Sequence, residues 1–389
     1  SFSPYERMLV NDWDDEYFYG KLDREDLQNV KVKFKDNNDR DWSYLKPFLH
    51  SDCQVNLIKP SIESDCKNEY DVVLISYDLI IFEPDYLVDI SSIARCFENY
   101  TTSAWVDLIH KFLPNTTSNA TLLGNFAGQL LDEVVTSPNK SYKQSIDEFF
   151  KDNALNLLTC GIDNSFHSDA MIQKENIKAA MNEGLPTMFK DIYKKEDGML
   201  EPSFFSEMLG LQGRMDYLQM DFQILLEQKS GKGAYPQNNY VKPHQTDQHY
   251  VQLLLYMLLI RYNFGEKYKK TNLNALLLYS KYKESLLSLN FAPELVFKAI
   301  EVRNQMAWLN VWFLQENGFS FLENLSAEAL NKNNVDNALW IKYQKKELDT
   351  FFNAIHNARE IEKKYFFRFT AFVSREHLLS KIGNKTKDN

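Results

Sequence analysis

At 389 residues with 44% hydrophobic content, the chain can bury more than one core, so several domains are expected. A formal net charge of −10 argues against a generic nucleic-acid coat, yet leaves room for a carboxylate-rich site beside a local basic strip. The longest apolar run is far short of a membrane span and no signal pattern opens the sequence, which predicts a soluble, cytoplasmic protein with no membrane contact.

The first hundred residues mix short strand-like runs, Val30–Phe34 and Val72–Phe82, with polar loops such as 35–41, the pattern of a β-rich module. Pro84-Asp85 reads as a turn, and a helix is expected from Ser91 or Ser92 with Ile93, Ala94 and Phe97 on its apolar face. Residues 101–200 carry helical spacing at Trp105–Phe112, Leu122–Val135, Ser145–Leu158 and Asn164–Asn182, the last followed by the breaker Gly184-Leu185-Pro186. Two strand-like halves come next, Leu211–Gln219 and Phe222–Lys229. Only Met220-Asp221 joins them, too little for a helix, so the segment reads as a β-hairpin. Residues 231–243 read as a loop, and the apolar run Tyr250–Ile260 as a helix. Past Gly265 the composition turns Lys- and Tyr-rich, then gives long helical patterns at Pro293–Glu316 and Val335–Lys364, the outline of a stalk. The closing stretch Lys364–His377 alternates in strand fashion.

The hairpin is where acidic and basic residues fall into a chemically useful spacing. Side chains alternate along a strand, so Glu227 and Lys229 share a face while Gln228 points away. Asp216, on the first strand, can reach that face and bring a second carboxylate to it. Such a pair suits Mg²⁺ or Mn²⁺, hard cations that prefer oxygen and keep several waters. A neighbouring lysine can orient or deprotonate a metal-bound water, and the metal can stabilise charge developing on a phosphate. Lys229, Lys232 and Lys242 form a local positive strip. Gly231-Lys232-Gly233 lacks the glycine five residues earlier that a phosphate-cradling loop needs, so no ATP site is expected. Gln252 and Tyr256, four apart, lie on one helical face, and a buried amide and phenol both need partners. Asp132, Glu133 and Glu201 are further acidic candidates, whereas His249 reads as structural. Cys53, Cys66, Cys96 and Cys160 are scattered, which suggests neither a zinc site nor a disulfide framework.

The series Gly213-Arg214-x-Asp216, then Glu227-Gln228-Lys229-x-Gly231-Lys232, resembles the PD-(D/E)XK nuclease superfamily in its RecB-like branch. His249-x-x-Gln252-x-x-x-Tyr256 and the upstream Gly128-x-x-x-Asp132 extend the likeness to the nuclease region of flap-processing helicase-nucleases. The resemblance implies an α/β fold with a restriction-endonuclease-like core, a mixed sheet flanked by helices, over residues 101–265. An N-terminal β-rich module would occupy 1–100, and a helical stalk with the start of a barrel connector 266–389. It further implies a metal-dependent nuclease cutting single-stranded or flapped DNA, with Asp216, Glu227 and Lys229 catalytic. Asp132, Asp216, Glu227 and the backbone carbonyl of Gln228 would hold Mg²⁺ or Mn²⁺, and Gln252, Tyr256 and Lys232 would position the strand. Asp132 stands where the family carries histidine. No cysteine follows Cys160, so the iron–sulfur cluster of many relatives is not expected. A helicase motor in a longer protein is the implied partner. Two other readings stay open: a silent relative that binds DNA without metal, and a scaffold whose C-terminal helices dock a motor.

Overall fold

The computed structural model describes residues 5–23, 25, 29–35, 40–64, 72–76, 78–114, 117–162, 164–234, 243–265, 272–315 and 317–383. The chain is a mixed α/β protein that divides into two compact units. One comprises residues 1–112, 205–212 and 294–389, the other 113–204 and 213–293. Among the described residues no helix is long and apolar enough to cross a membrane.

The first unit is built on seven strands, β1 (Tyr5–Trp13), β2 (Tyr17–Leu22), β3 (Asn29–Lys33), β4 (Gln54–Ile58), β5 (Ser61–Ser64), β6 (Val72–Ser76) and β7 (Leu79–Phe82). They lie in the order β5-β6-β3-β2-β1-β4-β7, antiparallel except for β3 beside β6. Met8, Val10, Phe18, Leu22, Val30 and Val32 are all fully buried, every second residue of β1 to β3, as a strand with one covered face requires. Edge strand β7 is closed by the helix Pro293–Trp312. Asn304 accepts from Phe82 N–H at 2.9 Å and donates to Ile80 O at 2.9 Å. Arg303, fully buried, donates to the carbonyls of Phe82, Glu83, Tyr86 and Gly210. The edge is thereby denied to other chains. Next come β8 (Val88–Asp89), the helix Ile90–Arg95, and the short antiparallel pair β9 (Phe97–Glu98) and β10 (Thr101–Thr102).

Three expectations fail in this unit. The C-terminal helices are not a separate stalk, because Ala327, Leu330, Trp340, Leu348 and Phe352 share one core with Tyr100, Val106 and Ile109. The run expected at Val335–Lys364 is broken into Lys345–His356 and Glu360–Ile382. Lys364–His377 is helix rather than strand, so no barrel connector begins there. Its aromatic residues surround the helix, which imitates period-two alternation, while Phe367 and Leu378, eleven residues and about three turns apart, bury the inner face.

The second unit holds a five-stranded sheet in the order β11-β14-β15-β16-β17, with β11 (Gly198–Leu200), β14 (Tyr217–Gln219), β15 (Ile224–Lys229), β16 (Asn274–Tyr279) and β17 (Leu286–Leu289). Between them in sequence lie β12 (Ser203–Ser206) and β13 (Leu211–Arg214). The hairpin is real, with Tyr217 opposite Leu226 and Leu218 opposite Leu225. Its first strand is Tyr217–Gln219 alone, because Leu211 and Gln212 of β13 pair instead with β8 in a separate three-stranded sheet and Met215-Asp216 parts the two; its turn extends to Gln223, with Phe222 at φ 61°. Strands β15 and β16 run parallel and are buried almost throughout, as strands covered on both faces must be. Ile224, Leu226, Leu276 and Leu278 pack on one face against Leu122, Phe126, Phe149, Phe166 and Ile177 from the upstream helices. The helix Asp247–Asn263 connects the two parallel strands, and its buried positions occur all around it. Two of the five strands thus come from beyond residue 265, where the sequence reading closes the core. Ser145–Leu158 is two helices, Tyr142–Asp152 and Ala154–Cys160, parted at Asn153.

Candidate active site at the carboxyl ends of two parallel strands

Strand β15 delivers Glu227, Gln228 and Lys229 at its carboxyl end, and alternation separates them as expected. Lys229 Nζ donates to Glu227 Oε1 and Gln252 Oε1, both at 2.8 Å. Gln252 Nε2 donates to Glu227 Oε1 at 2.7 Å. Gln228 turns its side chain the other way, where Nε2 donates to Ser280 Oγ at 3.2 Å. Its backbone N–H donates to Asp216 Oδ2 at 2.7 Å, so the break in the first strand lets that carboxylate cap the end of β15.

The partner helix is set by Thr246, whose hydroxyl accepts from His249 N–H at 3.3 Å as an N-cap does. His249, Gln252 and Tyr256 then recur along one side. Tyr256 donates to Arg214 O at 2.6 Å and accepts from Gln252 Nε2 at 3.1 Å. Because Tyr256 is only 2% exposed, the expected contact of its phenol with a DNA strand is corrected: the phenol ties the helix to the hairpin backbone. His249 Nδ1 lies 2.8 Å from the Tyr279 hydroxyl. Burial, then the Lys229 charge, pushes His249 down to about 4.

The electrostatics of the carboxylates follow from burial without full compensation. Glu227 is 3% exposed, and its Oε2 has no hydrogen-bond partner. Burial pushes it up to about 7, against the lowering pull of Lys229, with Asp216 adding repulsion. Asp216 is raised by burial although Lys229 and the Gln228 N–H draw it down. Asp132 is pushed up to about 6 by burial and by the charges of Glu201 and Asp216. Asp216 is therefore the acid whose charge helps to raise both Glu227 and Asp132.

No family model and no curated protein matches this chain. What the chain can bind must be judged from its own donors. Among the described residues no three His, Cys, Asp or Glu side chains form a cluster able to hold a metal ion alone. Asp216 and Glu227 remain as a pair of raised carboxylates, one with an orphaned buried oxygen. A hard cation that takes one or two carboxylates and completes its shell with water fits that donor set.

The other sequence candidates divide. Glu133 is engaged elsewhere, with Lys140 at 2.9 Å and with the Ser145 hydroxyl. Glu201, at φ 48°, pairs with Arg214 at 3.1 Å, both exposed. Lys232 is exposed, and Lys242 lies outside the described residues. A cavity of about 230 Å³ opens beside the site, lined by Gly124, Gly128, Asp216, Lys229, Ser230 and His249 among others. The unsubstituted Gly124 matters here, since a Cβ would come within 3.2 Å of Ser230 Oγ. Sequence reasoning missed the frame behind Gln228. Ser280 donates to Gln173 Oε1 at 2.6 Å, Gln173 Nε2 donates to Ser230 O at 3.1 Å, and Asn176 Nδ2 donates to Ser280 O at 2.9 Å. The one available signal was a polar Tyr279-Ser280 pair closing the apolar run 275–278, at the strand end where α/β sheets gather ligands.

Proposed function

We propose that the chain is a divalent-metal-dependent deoxyribonuclease acting on single-stranded or flapped DNA, its second unit a restriction-endonuclease-like core. The observation that carries this reading is the bonded set Glu227, Lys229 and Gln252, with Asp216 fixed to the adjoining backbone. Asp216 and Glu227 would hold Mg²⁺ or Mn²⁺, with the Gln228 carbonyl as a further ligand and Asp132 beyond them. Such an ion, when bound, supplies a water of lowered pKa and counter-charge for a phosphodiester oxygen. Lys229 Nζ, fixed between Glu227 and Gln252, would orient the attacking water by hydrogen bonding. Gln252 fixes the lysine, and Tyr256 fixes Gln252. Lys232, exposed beyond β15, offers charge to the DNA backbone.

Glu227 Oε1 is already occupied by Lys229 and Gln252, which favours one second reading, a silent module that binds single strands without metal. One assay separates them. Labelled single-stranded DNA is incubated with wild type, Asp216→Ala and Lys229→Ala in Mg²⁺ or Mn²⁺. Cleavage by wild type alone, abolished by chelator, supports the nuclease; equal cleavage by all three refutes these assignments, and strand binding that survives chelation without cleavage selects the silent module. A helicase motor as partner belongs to the same proposal.

A further inference from the structure

His249 reads from the sequence as structural, yet it borders the cavity of about 230 Å³ beside the carboxylates. The state of its ring is fixed from behind. Tyr279 is fully buried, and its hydroxyl receives Thr246 N–H at 3.3 Å. The phenol proton still needs an acceptor, since a buried hydroxyl left unpaired is costly. Among the described residues the acceptor bonded to it is His249 Nδ1, at 2.8 Å. With Nδ1 accepting, the ring is neutral and carries its one proton on Nε2. The surroundings agree, because burial and the Lys229 charge both disfavour an imidazolium.

His249 Nε2 has no partner among the described residues, and it is not shut away from solvent. Ser230, directly after Lys229 at the end of β15, lines the same cavity. Its hydroxyl is likewise unpaired among the described residues and accessible. Gly124 and Gly128, one turn apart on the helix Asn119–Thr136, line it as well. A Cβ at 124 would stand 3.2 Å from Ser230 Oγ, while one at 128 would meet nothing. The space around the Ser230 hydroxyl is thus left open by a missing side chain.

We infer that His249 Nε2–H and Ser230 O–H bind one phosphate group in this cavity, as two neutral donors beside the Lys229 ammonium. A free phosphate and a phosphodiester within a strand share this chemistry. Neutral donors suit the place, for they hold a phosphate oxygen without adding a positive charge that competes with a cation for Asp216. Asp216 also borders the cavity and repels an anion until a cation is paired with it, so the phosphate affinity rests on the metal-holding reading above. The tautomer does not.

The first test is long-range ¹H–¹⁵N NMR of the histidine-labelled full chain in chelator, with the His249 signals assigned from their loss in His249→Gln. A protonated Nε2 and a bare Nδ1 are expected, and Tyr279→Phe should shift the ring toward a mixture of tautomers. A protonated Nδ1 in the wild type overturns the inference. The second test is titration with inorganic phosphate or tetradeoxythymidylate in Ca²⁺, a hard cation for the same oxygen donors. Movement of the Nε2 resonance with phosphate makes the free anion a sufficient source, and movement with the tetranucleotide alone makes it a strand; either supports the site. His249→Phe should weaken binding about tenfold and Ser230→Ala about fivefold, the scale of one hydrogen bond, while His249→Gln, which keeps a neutral N–H, should recover most of the loss. Equal affinities for His249→Phe and His249→Gln, or an Nε2 resonance that neither probe moves, overturn the inference. Phosphate held by His249 without any cleavage of DNA keeps this site and sinks the nuclease, whereas cleavage unaffected by His249→Phe keeps the nuclease and sinks this site.

Discussion

Two buried glutamates in the same unit each stand beside a lysine, and they end in opposite electrostatic states. Burial pushes Glu133 up, but hydrogen bonds from Ser145, Gln129 and Lys140 outweigh it and hold the carboxyl below the usual range. Both its oxygens are used, Oε1 by Gln129 at 2.7 Å and Lys140 at 2.9 Å, Oε2 by Ser145. Glu227 crowds Lys229 and Gln252 onto Oε1 and leaves Oε2 with no one. There burial wins. Each glutamate has its lysine; the difference lies in depth and in hydrogen bonding together, Glu227 being the more deeply buried and reached by two donors where Glu133 has three. A satisfied carboxylate is finished structure; a buried unsatisfied one is a candidate for function.

The sharpest way to break this contrast is to neutralise each acid in turn. Glu227→Gln keeps the shape and removes the charge that the proposed chemistry needs. Its cleavage rate on single-stranded DNA should fall about a thousandfold, the scale of losing a charge-stabilising group in an enclosed site. Glu133→Gln, in the same assay and corrected for folded fraction, should cleave close to wild type. Equal losses would mean that the two sites are not distinct.

Stability should show the reverse ranking. Glu133→Ala removes the acid whose charge acts on the buried Lys174, whose ammonium lies 3.3 Å from Ser145 Oγ, while Lys140 keeps Glu148. A loss of about 3 kcal/mol is expected by denaturant titration, whereas Glu227→Gln should be neutral or stabilising. The pH dependence carries opposite signs. Glu133 titrates lower in the fold than its ordinary 4.5, so its contribution is present above that value and lost as pH falls through the folded pKa. Glu227 titrates higher, at about 7, so its contribution is present below the ordinary value and lost as pH rises through 7. In chelator, the deficit of Glu133→Gln should vanish in acid, and the gain of Glu227→Gln should appear only on the way to neutral pH.

The sequence made the hairpin legible because Glu227, Gln228 and Lys229 obey strict alternation, and the structure puts them on the faces that alternation demands. The pairing of Gln252 with Tyr256 was legible for the same kind of reason, a spacing of four on a helix. Strand β16 was not. Asn274–Tyr279 holds the unbroken apolar run 275–278 inside a Lys- and Tyr-rich stretch, with no periodicity to mark it as the inner neighbour of β15. Lys364–His377 failed in the opposite way, offering too many aromatic residues for either period to win. Nor can a sequence show that Glu227 Oε2 lacks a partner, because satisfaction depends on residues far away along the chain. The paired and the orphaned acid look alike when written as letters.

The smallest expected effect probes what holds the site in register. Tyr256→Phe deletes one hydroxyl that donates to Arg214 O and accepts from Gln252, at a cost of about 1 kcal/mol to the fold. The Arg214 carbonyl and the Gln252 amide each lose a bond, so Lys229 is held less firmly through Gln252. A several-fold fall in turnover should follow, with KM for DNA unchanged, since a phenol only 2% exposed has no surface to offer a strand. A raised KM at constant turnover would instead return Tyr256 to the strand-positioning role that its spacing first suggested. It would also show that the helix carrying it moves away from the hairpin when DNA arrives.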